Sequence, residues 1–202
     1  GLRGQIALYG QRLEAGYSSS GLNRLRDTDQ YGGVARLPLT QSIDVTAKGD
    51  RVVEDRGLTS TIGEVNVGWQ IDENWRVQTG ARHDAREDDA AVVVVTQNEG
   101  DRTDVVVQAE YDTRGRWKSW IFGQGSVLAT DDREENHRGG IGANVRVSDR
   151  IALNGEVSHG TLGPAAQLGT TYQRSERSKL YMNYALDSER GEDGLSARRG
   201  GL

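Results

Sequence analysis

The chain has 202 residues, a formal net charge of -5 and 35% hydrophobic residues, with a mean hydropathy of -0.68. No run approaches the roughly 20 apolar residues that a membrane helix requires; the longest is Ala90–Val95, and a helical membrane protein is excluded. A membrane β-barrel is not excluded, because its strands alternate polar and apolar residues and average to modest hydropathy.

Glycine is abundant at 27 and proline scarce at 2. That balance suits long sheets joined by tight turns, since proline removes a ladder donor. Cysteine is absent, which rules out a disulfide scaffold and a thiolate metal site. The sequence opens on Gly1 with no signal peptide and reads as a mature or excised segment. Charges of both signs are interleaved without a basic stripe, so nucleic acid is not expected as a partner.

In chain order the dominant signal is period-two alternation. Ile6 to Tyr17 reads as a first strand, followed by Tyr31 to Leu37 and Ile43 to Val52. Pro38-Leu39-Thr40-Gln41 between the last two reads as a turn, because proline fits a turn and disrupts a central ladder. Next, Val65, Val67, Trp69 and Ile71 alternate with Glu64, Asn66, Gly68 and Gln70. After Asp72-Glu73-Asn74, Trp75, Val77, Thr79 and Ala81 alternate with Arg76, Gln78, Gly80 and Arg82. Val105, Val107, Ala109 and Tyr111 alternate with Asp104, Gln108 and Glu110, and Thr113-Arg114-Gly115 leads into Trp117 to Ala129. The faces of that strand are ambiguous, with Trp120 and Phe122 on one side and Trp117, Ile121 and Val127 on the other, and a β-bulge there is one explanation. Ile141, Ala143, Val145 and Val147 precede a Ser148-Asp149 turn, and Ile151, Leu153 and Val157 follow it. Ala166, Leu168, Thr170 and Tyr172 come next, then Ser175-Glu176-Arg177, then Leu180, Met182, Tyr184 and Leu186. This gives eleven strands, and a twelfth is expected near Leu195.

The links fall into two classes. Short ones lie near 38–41, 72–74, 113–115, 148–149 and 175–177; the others, mostly longer and more polar, lie near 19–29, 53–58, 86–102, 131–137, 160–163 and 190–195. Short turns at one end and longer loops at the other are the asymmetry of an outer-membrane barrel. The polar face carries Arg36, Asp44, Lys48, Glu64, Arg76, Arg82, Glu110, Arg146 and Glu156, which are expected to face a lumen. Trp69, Trp75, Trp117 and Tyr172 gather at the short-turn end as an expected lipid-facing aromatic belt. The fold class is therefore all-β, an up-and-down antiparallel transmembrane β-barrel of about 11–12 strands. Residues 1–202 are expected to form a single β-barrel segment, a fragment of a larger barrel, with no separate plug or periplasmic domain. A soluble all-β domain with a charged exterior stays open; a β-propeller lacks its blade motifs.

Several phrases carry a family resemblance: Val147-Ser148-Asp149-Arg150-Ile151, Tyr172-Gln173-Arg174-Ser175-Glu176-Arg177 and Leu180-Tyr181-Met182-Asn183-Tyr184-Ala185-Leu186. In style they resemble the C-terminal β-barrels of large proteobacterial outer-membrane proteins, often labelled OmpA-like or TonB-receptor-like. The resemblance implies an outer-membrane location and carries no catalytic residue. Arg198-Arg199-Gly200-Gly201-Leu202 departs from it, lacking the aromatic-ended final strand of a complete barrel.

No chemistry stands out. His83, His137 and His159 show no ligand spacing, and Ser158-His159-Gly160 forms no nucleophile elbow, so neither an enzyme, a metal nor a cofactor is expected. The acidic clusters Glu87-Asp88-Asp89, Asp131-Asp132-Arg133-Glu134-Glu135 and Asp187–Asp193 read as a solvated rim, with divalent cations shared with lipopolysaccharide as the alternative. Ala90–Thr96 reads as a β extension above the membrane, a loop folded into the lumen or a partner contact. The expected partners are the lipid bilayer and lipopolysaccharide, with a partner protein or further strands completing the barrel. The expected function is a pore or the wall of a transport or export channel; the alternatives are a structural or surface-display barrel and a soluble all-β binding domain.

Overall fold

The computed structural model describes residues 2–16, 18–19, 22–23, 27–55, 57–89, 99–130, 133–175 and 178–186. The strands are β1 Gln5–Leu13, β2 Ser18–Ser19, β3 Leu22–Asn23, β4 Thr28–Pro38, β5 Ile43–Glu54, β6 Leu58–Gln70, β7 Trp75–Asp88, β8 Gly100–Asp112, β9 Trp117–Ala129, β10 Arg138–Arg146, β11 Ile151–Gly160, β12 Gly163–Ser175 and β13 Ser178–Leu186. Eleven of them form one antiparallel up-and-down sheet in the linear order β1-β4-β5-β6-β7-β8-β9-β10-β11-β12-β13, while β2 and β3 make a small separate ribbon. Among the described residues there is no helix. The all-β, up-and-down reading of the sequence therefore holds. The expected twelfth strand near Leu195, Glu176-Arg177, the acidic run Asp187–Asp193, Ala90–Thr96, Asp131-Asp132 and the C-terminal Arg198–Leu202 lie outside the described residues.

The four described short turns share one device: an oxygen on an early turn residue accepts backbone N–H groups two or three residues on, replacing ladder bonds that the turn cannot make. Thr40 Oγ1 accepts from Ser42 at 3.1 Å and Ile43 at 2.9 Å. Asp72 Oδ1 accepts from Asn74 and Trp75, both at 2.8 Å. Asp112 Oδ1 accepts from Arg114 at 2.7 Å, and Ser148 Oγ accepts from Ile151 at 3.1 Å. β4 ends on Pro38, as a proline at a strand end should. The first strand is shorter than its pattern implies. It stops at Leu13 because the chain turns through Ala15-Gly16, where Gly16 takes φ 88° and the Ala15 N–H donates to Asp27 Oδ1 at 2.7 Å.

The two faces of the strands differ in burial, and the sense is reversed from that of a water-soluble fold. On β6, Ile62, Glu64 and Gly68 are buried while Val65 and Trp69 are exposed; on β7, Gly80, Arg82, Asp84 and Arg86 are buried while Trp75 and Ala81 are exposed. β8 buries Asp104, Gln108 and Glu110 and exposes Val105 and Val107. Among the described residues the only buried large hydrophobic side chains are Ile62 and Phe122, whereas Leu8 is 83% exposed and Met182 69%. The polar face is the covered one.

This settles the faces of β9. Phe122 and Gln124 are buried with the polar face, and Trp117, Ile121 and Val127 are exposed with the apolar face. The register with β10 runs unbroken from Trp117↔Val145 to Arg138↔Gln124, so there is no bulge over that stretch. The aromatic rings stay on the polar face because β10 offers glycines beneath them. A Cβ on Gly142 would collide with the Trp120 ring, and one on Gly140 with that of Phe122. Trp120 crosses β10 above Gly142 and its Nε1–H donates to Glu156 Oε2 on β11 at 2.8 Å.

Two outcomes follow. Gly142→Val displaces the Trp120 ring and breaks its bond to Glu156, and overpacking of this kind costs roughly 1–3 kcal/mol. The urea midpoint of the folded protein should fall, whereas Gly123→Ala, where a Cβ meets open space, should leave it nearly unchanged. The second outcome concerns Asp72, whose carboxyl is held below the ordinary carboxylate range by the Trp75 N–H first, then the Asn74 N–H and the nearby Arg114. A carboxyl made more acidic by folding stabilises the turn fully above its unfolded value, and the effect is lost as pH falls through the folded one. Amide exchange at Asn74 and Trp75 should therefore lose protection below about pH 4. The amide of Ile151, held by a serine hydroxyl that does not titrate, should not follow.

Candidate functional site

Buried polar side chains form a candidate site in each of two compact units. One comprises residues 1–67, 80–105 and 126–135, the other residues 68–79, 106–125 and 136–202.

In the first unit, Arg82, Asp84 and Arg86 alternate along β7, so their side chains stand on one face. Asp84 is the hub. Arg86 donates to it through Nε at 3.0 Å and Nη2 at 3.2 Å, Arg82 Nη2 lies at 3.5 Å, and Arg133 Nη2 arrives from the link after β9 at 3.3 Å. All four side chains are more than nine-tenths buried. Burial, with Arg86 and Arg102 nearby, pushes the Arg133 guanidinium down, and Asp84 counters by favouring the charged form. One strand along, Arg102 Nε meets Asp104 Oδ2 at 2.9 Å, Ser126 donates to Asp104 Oδ1 at 2.6 Å, and Arg102 Nη1 donates to the Glu134 carbonyl at 3.2 Å. A separate chain of hydrogen bonds crosses β1, β4 and β5: Gln11 donates to Gln30 at 2.7 Å, Gln30 to Asp50 at 3.0 Å, and the Tyr9 hydroxyl to Asp50 at 2.5 Å.

In the second unit the pairs are simpler. Lys118 Nζ meets Glu110 Oε1 at 2.6 Å, Trp120 holds Glu156, and Arg138 Nη1 donates to Ser158 at 2.9 Å. A carboxylate as covered as that of Glu110 is sustained only when paired and hydrogen-bonded, since removing the partner of a buried charge typically costs 3–5 kcal/mol.

The residues singled out from sequence occupy this face unevenly. Glu64, Arg82 and Glu110 are buried. Asp44, Lys48, Arg76 and Glu156 are half-buried, and Arg36 and Arg146 are exposed. Glu64 accepts from Asn66 at 2.7 Å. Arg36, Lys48 and Asp44 stand opposite Thr46, Val34 and Pro38 in the β4–β5 register, and Arg146 opposite Ala152. Sequence reading missed Asp84, Arg86 and Arg102. The alternation Arg82, Asp84, Arg86 runs straight past Arg82, but residues 86–102 read as a link, whereas β7 extends to Asp88 and β8 starts at Gly100. No sequence signal marked Arg133.

On the apolar face, Trp69, Trp75, Trp117 and Tyr172 are all exposed. Tyr111, which the sequence reading left out of the belt, joins two of them: its ring centroid lies 5.0 Å from Trp75 and 5.9 Å from Trp117, with the planes tilted by 55° and 56°. Small residues open a shallow groove in each unit, each of about 570 Å³. One is lined by Gly33, Ala35, Ala47, Gly49, Gly63 and Ala81, the other by Ala109, Ser119, Ala143 and Gly155. His83 sits on this face, its Nδ1 2.9 Å from Thr103 Oγ1.

No protein-family model matches the chain, and no curated protein matches it in sequence. Solved structures do match. A crystal structure of the toluene transporter TodX of Pseudomonas putida is similar with a TM-score of 0.54 at 10% identity, over 91% of this chain and 70% of that one. Another TodX structure gives 0.51 at 9% identity, over 90% of this chain and 72% of that one. At such identity the likeness is one of fold, to structures described as those of a transporter.

Proposed function

We propose that the chain forms the wall of a transmembrane β-barrel in the bacterial outer membrane and serves a pore or a transport or export channel. The observation that carries this reading is the reversed burial: charged residues are covered and the apolar faces of consecutive strands are bare. In water, exposed apolar area costs about 25 cal/mol per Å², and large exposed patches call for a covering. Lipid supplies one to every strand at once.

The dimensions agree. From Trp75 to His83 the apolar face of β7 spans eight residue steps, about 27 Å at roughly 3.4 Å per residue. Tilted by about 40°, that is about 21 Å of membrane depth, close to the ~25 Å apolar band of outer-membrane barrels. Trp69, Trp75, Tyr111, Trp117 and Tyr172 then mark the interface at the short-turn end, and the apolar grooves receive acyl chains. Arg36, Asp44, Lys48, Glu64, Arg76, Arg82, Glu110, Arg146 and Glu156 face the lumen, and their mixed signs give weak ion selectivity. Bilayer lipid and lipopolysaccharide are the surrounding partners. The fold likeness to a toluene transporter supports a transport role and leaves the solute unassigned. A second reading, a sealed barrel that anchors other segments, draws support from the Arg–Asp network that fills part of the polar face.

Planar-bilayer recording separates the two. The pore reading expects discrete conductance steps, and a protein that inserts yet never conducts is an anchor. Single-tryptophan variants test the membrane reading itself. Trp75 and Trp117 should be quenched by brominated lipid and Trp120 spared; a detergent-free soluble monomer would overturn the reading.

A further inference from the structure

We infer that residues 133–134 are a strap fastened across the polar face, and that the strap sets the aperture of the path at the long-link end. The second half rests on the pore reading above; the first half does not.

Arg133 belongs to a link and not to a strand, yet its side chain is only 4% exposed. A link arginine normally keeps its head in water, so a buried one marks a specific docking. The dock is made in advance. Arg82 and Arg86 on β7 hold Asp84 in place, and Arg133 Nη2 closes on the same carboxylate oxygen, Oδ2, that Arg82 and Arg86 reach through Nη2. A second fastening sits one residue on, where the Glu134 carbonyl accepts from Arg102, itself oriented by Asp104. The base is pinned too: the Arg133 N–H donates to the Thr130 carbonyl at 3.2 Å, and the Thr130 N–H to the Asp101 carbonyl at 3.0 Å. Three attachments on β7, β8 and the end of β9 hold two consecutive link residues against the polar face. Arginine suits the task because its planar fork makes several fixed hydrogen bonds and keeps its charge when buried.

Asp84→Asn and Arg133→Ala, each made in the whole protein refolded into lipid, test this. Glutamyl endopeptidase, which cuts after Glu134, reads the strap; single-channel recording reads the aperture. Both variants should be cut several-fold faster than the unmodified protein, and both should conduct more. Unchanged cleavage in folded variants overturns the strap. Faster cleavage with unchanged conductance, in a protein that does conduct, overturns its role in the aperture. Faster cleavage where neither the unmodified protein nor the variants conduct supports the strap and counts against the pore reading instead. Should Asp84→Asn fail to fold, with three guanidinium groups left facing one another, Arg133→Ala still decides, because it removes a buried charge and strands none of the β7 side chains.

Discussion

A covered face built from charges demands a counter-charge or a hydrogen bond for each group on it, and the remainder of the structure follows from that demand. Desolvating an ion costs several kcal/mol, so the polar face is tolerable only where partners are held in place. Asp84 with its three arginines, Lys118 on Glu110 and Trp120 on Glu156 meet it in three different ways. The glycines of β10 belong to the same account. They leave room for the Trp120 ring to cross a strand and reach its carboxylate, and a side chain at Gly142 would close that route.

The opposite face carries the complementary constraint. On the membrane reading the backbone groups must be paired within the sheet, because lipid offers them no hydrogen bond. Long, regular strands of nine to fourteen residues and turns closed by side-chain oxygens meet that need. The scarcity of proline has its reason here, and so does the placing of Pro38 at a strand end and Pro164 one residue into β12.

Much of this was legible in the sequence because side-chain period, turn chemistry and burial all obey a two-residue rule. The eleven strands of the main sheet and the polarity of most faces could be read from alternation, and the Pro38 turn from proline chemistry, whereas the β2–β3 ribbon was not read. What escaped reading escaped for physical reasons. The faces of β9 are chemically mixed, and only the cross-strand glycines at 140 and 142 decide which way Trp120 and Phe122 point. Those glycines lie some twenty residues away, beyond any local pattern. Arg86 and Arg102 looked like link residues because polar character continued from strand into link without a break. Arg133 is a buried link residue, and burial of a link depends on what it docks against.

The partners of the covered carboxylates sort by origin, and the sorting bears on how such a sheet is assembled. Arg82–Asp84, Arg86–Asp84, Arg102–Asp104 and Asn66–Glu64 are each two residues apart on one strand. Period two places both members on the same face whatever the strand pairs with. The geometry of these pairs needs only an extended strand and no particular neighbour. Arg133–Asp84, Tyr9–Asp50 and Trp120–Glu156 span long stretches of chain and exist only once the register is right. The local pairs lower the cost of covering the face, and the long-range ones select the arrangement. A register slip of one residue would turn Asp84 and Glu156 onto the apolar side, and on the membrane reading that side is lipid. The same carboxylates that bind the face together thereby exclude the nearest wrong sheet.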